Sequence, residues 1–306
     1  MKIVVPGGTG HIGGVLVRAL RVQGHEVIVL SRRQPPEPGM VSWDGRSLGP
    51  WGDALDGADA VINLAGRSVN CRYSPRHLKE MMDSRVESTR AVGRAIRRAR
   101  KPPRLWLQMS TATIYSHRYD APNDERDGAL GGNEPDAPSS WRPSIEIAKA
   151  WEAALEEAST PTTRKIALRL AMVMSAEKGG TLDLLLGLTR WGLGGAIGGG
   201  HQFMSWVHER DWIRAVAFLL QREDLEGPIN LSAPNPLPQR DFMAALRKAW
   251  GTRIGLPATK WMLALGTWIL RSESELVLKS RRVVPTRLVE AGFTFEFPDW
   301  SKAAQD

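Results

Sequence analysis

The first thirteen residues of the chain constrain its fold more than any other segment, because they combine an apolar run with regularly spaced glycines. Ile3-Val4-Val5 is typical of a short buried strand, and Gly7, Gly10 and Gly13 follow it. Beyond them, apolar residues recur at the spacing of one helix face, namely Ile12, Val15, Leu16, Ala19 and Leu20. A second apolar run, His25 to Leu30, completes a β–α–β unit of about thirty residues, the size that such a unit requires.

Each glycine has a physical role if a dinucleotide binds at this turn. One glycine allows the tight turn, one lets the backbone approach a pyrophosphate, and one lets the helix pack closely on the strand. The phosphates would lie on the N–H groups at the helix start, where the helix dipole is positive. Glycine also marks ordinary turns that bind nothing, but the flanking strand and helix favour a cofactor site. Its predicted residues are Gly7, Thr9, Gly10, His11, Ile12 and Gly13.

The residues after the second strand indicate which dinucleotide binds. In proteins that select NAD, a carboxylate about twenty residues beyond the glycines holds the 2′-hydroxyl of the adenosine ribose. Here the strand ends in Ser31-Arg32-Arg33, and a guanidinium at that place would bind a 2′-phosphate through two hydrogen bonds. The alternative is a solvated pair of charges, since arginine is usually exposed. We expect Ser31, Arg32 and Arg33 to bind NADP(H) in preference to NAD.

The composition is that of a folded protein and excludes several classes. The chain has 306 residues, 42% hydrophobic and 24% charged, which is enough for a large core. Cys71 is the only cysteine, which excludes an internal disulfide and a multi-cysteine metal site, and no metal ligands are predicted. No signal-peptide pattern begins the chain, and the longest membrane-like run, Trp261 to Leu270, has ten residues, too few to span a bilayer. We expect a soluble, cytoplasmic protein.

A net charge of +8 and a pI near 9.9 raise the question of nucleic acid, because basic patches attract phosphate. The most basic stretch, Arg94 to Lys101, places its charges mostly on the polar side of a predicted helix. A charged outer helix face explains this block without a partner, and no nucleic-acid fold signature accompanies it. Nucleic acid is therefore not a predicted partner, and a small-molecule substrate is.

Beyond the first unit, buried strands alternate with helices, which is typical of a doubly wound parallel sheet. The predicted strands are Val41 to Trp43, Ala60 to Gly66, Arg104 to Thr111 and Lys165 to Met174. The predicted helices are Pro75 to Ala99 and Ser144 to Ala158. The fold class is α/β, with the cofactor-binding domain over residues 1–174.

Over residues 175–306 the pattern changes, and we predict a smaller, mainly helical substrate or cap region that returns in places to the main domain. Asp211 is expected to cap a helix that runs to Leu220, and Ile229 to Leu231 is expected to be a strand. The remaining predicted helices are Arg240 to Trp250, Thr259 to Leu270, Glu273 to Leu278 and Pro285 to Ala291.

Several motifs, in their order along the chain, resemble those of the extended short-chain dehydrogenase/reductase superfamily. They are the glycine pattern, Asn63-Leu64-Ala65-Gly66, Ser110-Thr111 before Ile114-Tyr115, and Trp206-Val207-His208-Glu209-Arg210-Asp211. More narrowly, the chain resembles that superfamily's branch of epimerase-family proteins with unassigned substrates. The motifs similar to that branch are Asp83-Ser84-Arg85-Val86, Trp151-Glu152, Asn230 to Pro236, Arg282 to Leu288 and Ala291-Gly292-Phe293.

The resemblance implies a Rossmann-type fold, a bound nicotinamide nucleotide and a small C-terminal substrate region. It implies that the glycine turn holds the pyrophosphate, that Ser31 and Arg32 hold the adenosine phosphate, and that Ser110 lies on the nicotinamide side. The strand end that passes the adenosine ribose and pyrophosphate adds four predicted cofactor-binding residues, namely Asn63, Leu64, Ala65 and Gly66. A homodimer through the two long helices is a further implication.

The superfamily's proton-transfer pair is missing from this chain. Its enzymes use Tyr-x-x-x-Lys on one helix face, with a Ser or Thr and an Asn, and the lysine lowers the pKa of the tyrosine. No tyrosine here has a lysine four residues later. Counting back from Trp151-Glu152 puts Ser144 and Ala148 at the pair's positions, or Ile145 and Lys149 if the helix shifts by one residue.

An enzyme of this kind then needs another proton donor, and three residues are the candidate catalytic residues. Thr111 stands where the catalytic Ser or Thr would stand. Tyr115 comes just beyond a strand end, where active residues of such sheets cluster, although it is equally an ordinary loop aromatic. Lys149 is the third candidate, and its alternative is a solvated helix lysine.

Four residues are predicted to bind substrate. Arg85 occupies the place of the superfamily's asparagine, and it either clamps an anionic substrate or pairs with Asp83. Met204 and Trp206 are expected to line an apolar pocket wall, though core packing explains them equally well. His208 is expected to titrate near the substrate, or to form a hydrogen bond within the fold.

The leading hypothesis is an NADP(H)-dependent oxidoreductase or epimerase-like enzyme that acts on a small substrate, aromatic or anionic. Hydride transfer needs an oriented nicotinamide and a positioned donor, so loss of the tyrosine does not forbid it. The alternative is a non-catalytic sensor or scaffold, in which NADP(H) sets the conformation and no turnover occurs.

Overall fold

A seven-stranded, fully parallel sheet organises the protein. The computed structural model describes residues 1–33, 38–135, 137–258, 273 and 275–306. The strands of the large sheet are β1 (Lys2–Pro6), β2 (Glu26–Ser31), β3 (Met40–Ser42), β4 (Ala60–Asn63), β5 (Leu105–Thr111), β6 (Arg164–Leu170) and β10 (Gly227–Leu231). Two small sheets contain β7 (Met172–Met174) with β9 (Trp206–His208), and β8 (Phe203–Met204) with β11 (Leu237–Pro238).

Helices connect these strands. They are α1 (His11–Val22), α2 (Pro75–Arg98), α3 (Arg142–Glu156), α4 (Thr181–Arg190), α5 (Glu209–Gln221) and α6 (Gln239–Trp250), with short helices α7 (Glu275–Leu278), α8 (Thr286–Glu290) and α9 (Trp300–Ala303). Short 3-10 helices cover Pro50–Leu55, Ala112–Ile114 and Ser139–Trp141. None of the described helices is both long and apolar enough to cross a membrane.

The strand order in the large sheet is β10-β6-β5-β4-β1-β2-β3, which confirms the predicted doubly wound α/β fold. The chain builds outward from β1 in one direction through β2 and β3, and then in the other through β4, β5 and β6. The order therefore reverses between β1 and β4, where open sheets of this type form a crevice at the carboxyl ends of the strands.

Two apolar layers enclose the sheet. On one face, α1 and α5 contribute buried residues such as Leu16, Leu20 and Trp212 to the first core cluster. On the other face, α2 packs residues such as Val92 and Ile96 with Trp106 of β5. The central strands are buried on both faces, which is why they read as continuous apolar runs.

The predicted strand from Lys165 to Met174 is wrong as a single element. It divides at Ala171, whose N–H donates to Leu231 O at 3.0 Å, and the N–H of Met172 then donates to Ser205 O at 3.3 Å. Residues 172–174 thus leave the large sheet and pair in parallel with β9. This break turns the chain out over the carboxyl end of the sheet.

The described part of residues 175–306 forms a separate core and also contributes elements to the large sheet and its first core cluster. A third cluster, which includes Met204, Trp206, Phe242 and Trp300, lies under α6 and α9. In contrast, α5 packs in the first cluster and β10 forms an edge of the large sheet beside β6. The predicted helix from Thr259 to Leu270 lies outside the described residues, and within the predicted helix from Glu273 to Leu278 the described helix spans Glu275–Leu278.

Candidate functional site

The crevice between β1 and β4 is built around a close approach of two backbone segments. Gly7 has a φ of 78°, and a Cβ added to it would lie 2.7 Å from Ala65 N and 2.8 Å from Ala65 Cα. The N–H of Leu64 donates to Pro6 O at 2.9 Å, which holds the two strand ends together. Only glycine combines that φ with that contact, so Gly7 is required for this turn.

The start of α1 presents free backbone donors to the crevice. Gly10 is the N-cap, and Thr9 and Gly10 are exposed. The first N–H groups of a helix have no partner inside the helix, and they carry its positive dipole end. A Cβ on Gly13 would lie 2.8 Å from Gly7 O, so the helix packs against the turn as the prediction requires. This cradle fits a pyrophosphate.

Asn63 supports the cradle rather than lining it. Its side chain is fully buried, its Oδ1 accepts from Ala65 N at 3.1 Å, and its Nδ2 donates to Gln108 Oε1 at 2.9 Å. These bonds fix the backbone of Leu64 and Ala65, and Gly66 is exposed beside them. Of this predicted group, the backbone of Ala65 and Gly66 is placed to meet a ligand.

The end of β2 carries two free cations. Arg32 and Arg33 are exposed, and neither forms an ion pair with any carboxylate of the described residues. Ser31 is 3% exposed, and its Oγ accepts from Arg33 N at 3.2 Å, which sets the course of the chain after the strand. An unpaired guanidinium at this position fits a 2′-phosphate.

A glycine segment closes over the start of α1. Arg18 forms an ion pair with Glu177, and a Cβ on Gly180 would overlap with His11 Nε2. Among the described residues, this buried nitrogen has no hydrogen-bond partner. The Nε2 atom of His11 is therefore a buried polar atom at the predicted phosphate site, a second feature that fits a dinucleotide there.

A cavity of about 100 Å³ lies beyond the carboxyl end of β5, between α2 and α3. Its walls combine apolar and aromatic side chains with four hydroxyls, one of them the phenol of Tyr73, and one cation. The lining residues are Val69, Tyr73, Met81, Arg85, Thr111, Thr113, Ser144, Ile147, Ala148, Trp151 and Leu276. A space of this size accepts a small molecule or the reacting part of a larger one.

Arg85 is the cation of this cavity, and the alternative that it pairs with Asp83 is wrong. Asp83 instead accepts from Lys79 Nζ at 2.6 Å, one helical turn away. The guanidinium of Arg85 lies 5.0 Å from the ring centroid of Trp151 and donates to two backbone carbonyl oxygens. Burial lowers the pKa of Arg85 to about 10, so it stays charged at neutral pH. No carboxylate of the described residues pairs with it.

The helix register at α3 brings one of the two counted pairs to the cavity. Ser144 and Ala148 line the cavity, together with Thr111. Ile145 is buried elsewhere, and Lys149 Nζ donates to Gly131 O at 2.7 Å, so it ties down a loop. The structure therefore brings Thr111 to the cavity, whereas Lys149 does not reach it.

Tyr115 is placed away from the cavity. Its side chain is 1% exposed, its hydroxyl donates to Asn230 Oδ1 at 2.9 Å, and it accepts from Arg169 Nη1 at 2.8 Å. Burial raises the pKa of Tyr115 to about 12. Since both hydrogen-bonding roles of the phenol are taken, this placement argues against the predicted role in proton donation.

Ser110 belongs to the same buried polar network. It is 3% exposed and donates to Glu152 Oε1 at 2.6 Å, while Arg169 pairs with both oxygens of Glu152 at 2.9 and 2.8 Å. The network connects β5, α3 and β6 beneath the cavity. In this arrangement the Ser110 hydroxyl faces Glu152 and not the crevice.

Three predicted substrate residues serve the fold instead. Met204 and Trp206 are 7% and 0% exposed and pack in the third core cluster, where Trp206 contacts Trp300 at 5.0 Å between ring centroids. His208, rather than Asp211, is the N-cap of α5, since its Nδ1 accepts from Arg210 N at 3.2 Å. It also stacks on Phe297 at 3.9 Å. These residues are absent from the cavity lining because their own packing partners enclose them.

Sequence reasoning missed a buried ionic cluster behind Ser144. Glu275 is 2% exposed, and its carboxyl oxygens lie 2.6 Å from Ser144 Oγ. Lys279 Nζ and Arg281 Nη2 lie 3.9 and 4.0 Å from Glu275 Oε1. The spacing of Glu275 and Lys279 is the ordinary pattern of a solvated helix face, so the pattern itself gives no signal of burial.

A larger cavity, of about 1250 Å³, lies at the opposite edge of the sheet. Two of its charged lining residues are engaged in the fold: Arg164 donates to Leu219 O at 3.3 Å, and Lys165 donates to three carbonyl oxygens near the end of α3. Ligands of open α/β sheets bind at the carboxyl ends of strands, so the smaller cavity is the candidate site. Within the described ranges, no cluster of side chains is arranged to hold a metal ion.

Comparison with known proteins agrees with this geometry. Residues 3–140 match the NAD dependent epimerase/dehydratase family, and residues 258–306 match a domain of unknown function, DUF1731. Epimerase family protein SDR39U1 of Bos taurus is 32% identical over 312 residues, which cover 100% of this chain and 99% of the relative. Epimerase family protein YfhF of Bacillus subtilis is 30% identical over 304 residues, 98% of this chain and 95% of the relative.

Solved structures give the same assignment. The crystal structure of human epimerase family protein SDR39U1 (isoform 2) with NADPH has a TM-score of 0.86 at 30% identity, covering 100% of this chain and 98% of that one. UDP-N-acetylglucosamine 4-epimerase of Bacillus cereus shares the fold, with a TM-score of 0.71 at 18% identity, 100% of this chain and 97% of that one. The chain therefore belongs to the NAD dependent epimerase/dehydratase family, within the extended short-chain dehydrogenase/reductase superfamily.

Proposed function

We propose that this protein binds NADP(H) and transfers hydride between it and a small carbonyl compound that carries an anionic group, as an oxidoreductase or epimerase-like enzyme. The cradle formed by Gly7, Gly13 and the start of α1 supports the dinucleotide. The free charges of Arg32 and Arg33 support the 2′-phosphate, and the human relative was crystallised with NADPH. The bound dinucleotide would supply or accept the hydride.

One observation carries the enzymatic part of the proposal. The cavity next to the crevice combines the hydroxyls of Thr111 and Ser144 with Arg85, which lacks a carboxylate partner among the described residues. The guanidinium would hold an anionic group of the substrate, and the hydroxyls would hydrogen-bond to the reacting oxygen. Trp151 and Tyr73 form apolar walls that exclude water from the reacting atoms.

The test is consumption of NADPH against a panel of carbonyl and imine compounds, each paired with an analogue that lacks the carboxylate. We expect turnover of carboxylate-bearing members, and Arg85→Met should raise their KM at least tenfold with little change for neutral members. Arg94→Met, on the exposed side of α2, is the matched control. An equal loss for both kinds of compound would contradict the assignment of Arg85 to the anion.

The second candidate is a non-catalytic NADP(H) sensor or scaffold. It is favoured by the absence of Tyr-x-x-x-Lys and by the engagement of Ser110 and Tyr115 in the fold. NADPH binding without turnover across the panel, together with slower amide exchange around residues 177–181 on binding, would support it. Three features stay predictions: the domain boundary at residue 174, the homodimer and the cytoplasmic location.

A further inference from the structure

We propose that the C-terminal segment completes a proton relay at this site: Ser144 exchanges a proton with the substrate oxygen, and Glu275 and Lys279 behind it hold and replace that proton. The inference rests on the proposed oxidoreductase function. It assigns the missing acid–base role to Ser144, which follows the first family match, and to two residues within the second.

Ser144 stands between the cavity and the buried carboxyl. It lines the cavity at one of the two positions counted for the superfamily's tyrosine, while its Oγ contacts both oxygens of Glu275 at 2.6 Å and Trp141 O at 2.9 Å. One hydroxyl hydrogen cannot serve three acceptor oxygens at once. An additional proton on Glu275 would occupy one of these short contacts, so the site is shaped to hold it.

Lys279 holds a buried proton next to Glu275. It is 1% exposed, and its Nζ lies 3.9 Å from Glu275 Oε1 and donates to Thr113 O at 2.7 Å. Thr113 also lines the cavity and accepts from Arg281 Nε at 3.2 Å, which fixes the cluster to the loop after β5. Burial lowers the pKa of Lys279 to about 8, so it is charged at neutral pH and able to release a proton.

The step balances in both directions. In reduction, the carbonyl carbon accepts hydride from the reduced dinucleotide, the π electrons of C=O move to oxygen, and that oxygen takes the Ser144 proton. Ser144 regains a proton from Glu275, Glu275 regains one from Lys279, and Lys279 takes up one from solvent between turnovers. The sum is therefore carbonyl, NADPH and one proton to alcohol and NADP⁺. In oxidation the same proton travels back, with the carboxylate as general base.

The groups that face Glu275 define the expected pH dependence. Burial raises the pKa of Glu275, as does Glu273, while Arg281 and Lys279 oppose this rise. Among the described residues, Tyr73, from the segment before α2, and Glu134, from the loop between β5 and α3, are further titratable neighbours of the cluster. We expect kcat for reduction to fall as pH rises above about 8, when Lys279 loses its proton.

The experiment compares Ser144→Ala, Glu275→Gln and Lys279→Arg with two control variants at exposed positions, Ser140→Ala and Glu146→Gln. Ser144→Ala and Glu275→Gln should each lower kcat by about 100-fold or more with unchanged affinity for NADPH. Lys279→Arg should remove the fall above pH 8. The controls should behave like the natural sequence.

A second readout needs no turnover. In the ligand-free protein, the infrared band of protonated carboxyls should persist to a higher pH than an ordinary glutamic acid allows. This high-pH component should be present in the natural sequence and in the other variants, and missing from Glu275→Gln. If Glu275→Gln does not fold, the relay is still tested by the kcat of Ser144→Ala and by the infrared band of the natural sequence.

The outcomes separate this inference from the proposed function. Turnover by the natural sequence with kcat of Ser144→Ala within twofold, or an infrared titration identical in both proteins, overturns the relay and leaves the oxidoreductase standing. Absence of turnover by the natural sequence across the panel overturns the proposed function and the relay with it.

Discussion

Tyr115 and Asn230 join the loop beyond β5 to the edge strand β10 through one buried hydrogen bond of 2.9 Å. The phenol also accepts from Arg169, so it connects three elements of the sheet. We predict that Tyr115→Phe lowers the free energy of unfolding by about 1–3 kcal/mol, because Asn230 and Arg169 each lose a partner. Urea unfolding measures this change.

The same variant should bind NADPH with unchanged affinity and retain its turnover. A loss of turnover of 100-fold or more with normal stability would instead restore Tyr115 to the mechanism.

Gly7→Ala should abolish NADPH binding or folding, whereas Gly45→Ala should be tolerated. Both glycines have a φ of 78°, but a Cβ on Gly7 meets the backbone of Ala65 at 2.7 Å, while a Cβ on Gly45 meets nothing within 4 Å among the described residues. The pair separates backbone strain, about 1 kcal/mol, from the loss of the close approach. Calorimetry with NADPH and thermal unfolding are the measurements. Equal effects at the two sites would remove the close approach from the explanation.

Arg32→Asp should weaken NADPH binding by about 10- to 100-fold, the range of one charge-assisted hydrogen bond, and should leave NADH binding unchanged. Arg97→Asp makes the same change of charge on the exposed side of α2 and serves as the control. Titration of both cofactors into both variants checks the prediction. A parallel loss of NADH affinity would show that Arg32 does not read the 2′-phosphate.

His208 should make stability depend on pH. Burial lowers the pKa of His208, so below pH 6.5 the unfolded state takes up a proton that the folded state resists. The resulting stability is complete above the unfolded pKa and is lost as pH falls toward the folded value. His208→Asn keeps a capping side chain and cannot titrate, so it should unfold with a smaller difference between pH 7.5 and pH 5.5, by urea titration. His201→Asn, at an exposed position, is the control.

The parts of the fold that depend on local pattern are predictable from the sequence. The glycine turn, α1 and the central strands follow from apolar periodicity and from glycine spacing, because a strand buried on both faces reads as a continuous apolar run. The break at Ala171 is not predictable in this way. It depends on acceptors in Leu231 and Ser205, which the chain supplies dozens of residues later.

The residues in and behind the cavity also divide into those that the sequence predicts and those that it does not. Arg85 and Thr111 are predictable because motif order places Arg85 at the superfamily's asparagine position and Thr111 at the end of a strand, and the Ser144 alignment follows from counting along one helix. Glu275 and Lys279 are not, since only tertiary packing buries a spacing that is ordinarily solvent-exposed. Tyr115, His208 and Trp206 are residue types that often serve in active sites, but here their side chains are engaged by hydrogen-bonding or packing partners within the fold.

The carboxylate of Asp211 in α5 is fully buried and accepts from the N–H groups of Glu296 and Phe297 at 2.8 Å each. A shortened chain that stops before residue 296 would leave this buried carboxylate without its two backbone N–H donors. The helix layer on the large sheet and the tail are thus joined through Asp211, and a cut ahead of the second matched segment, at residue 258, would remove these two donors from the buried carboxylate.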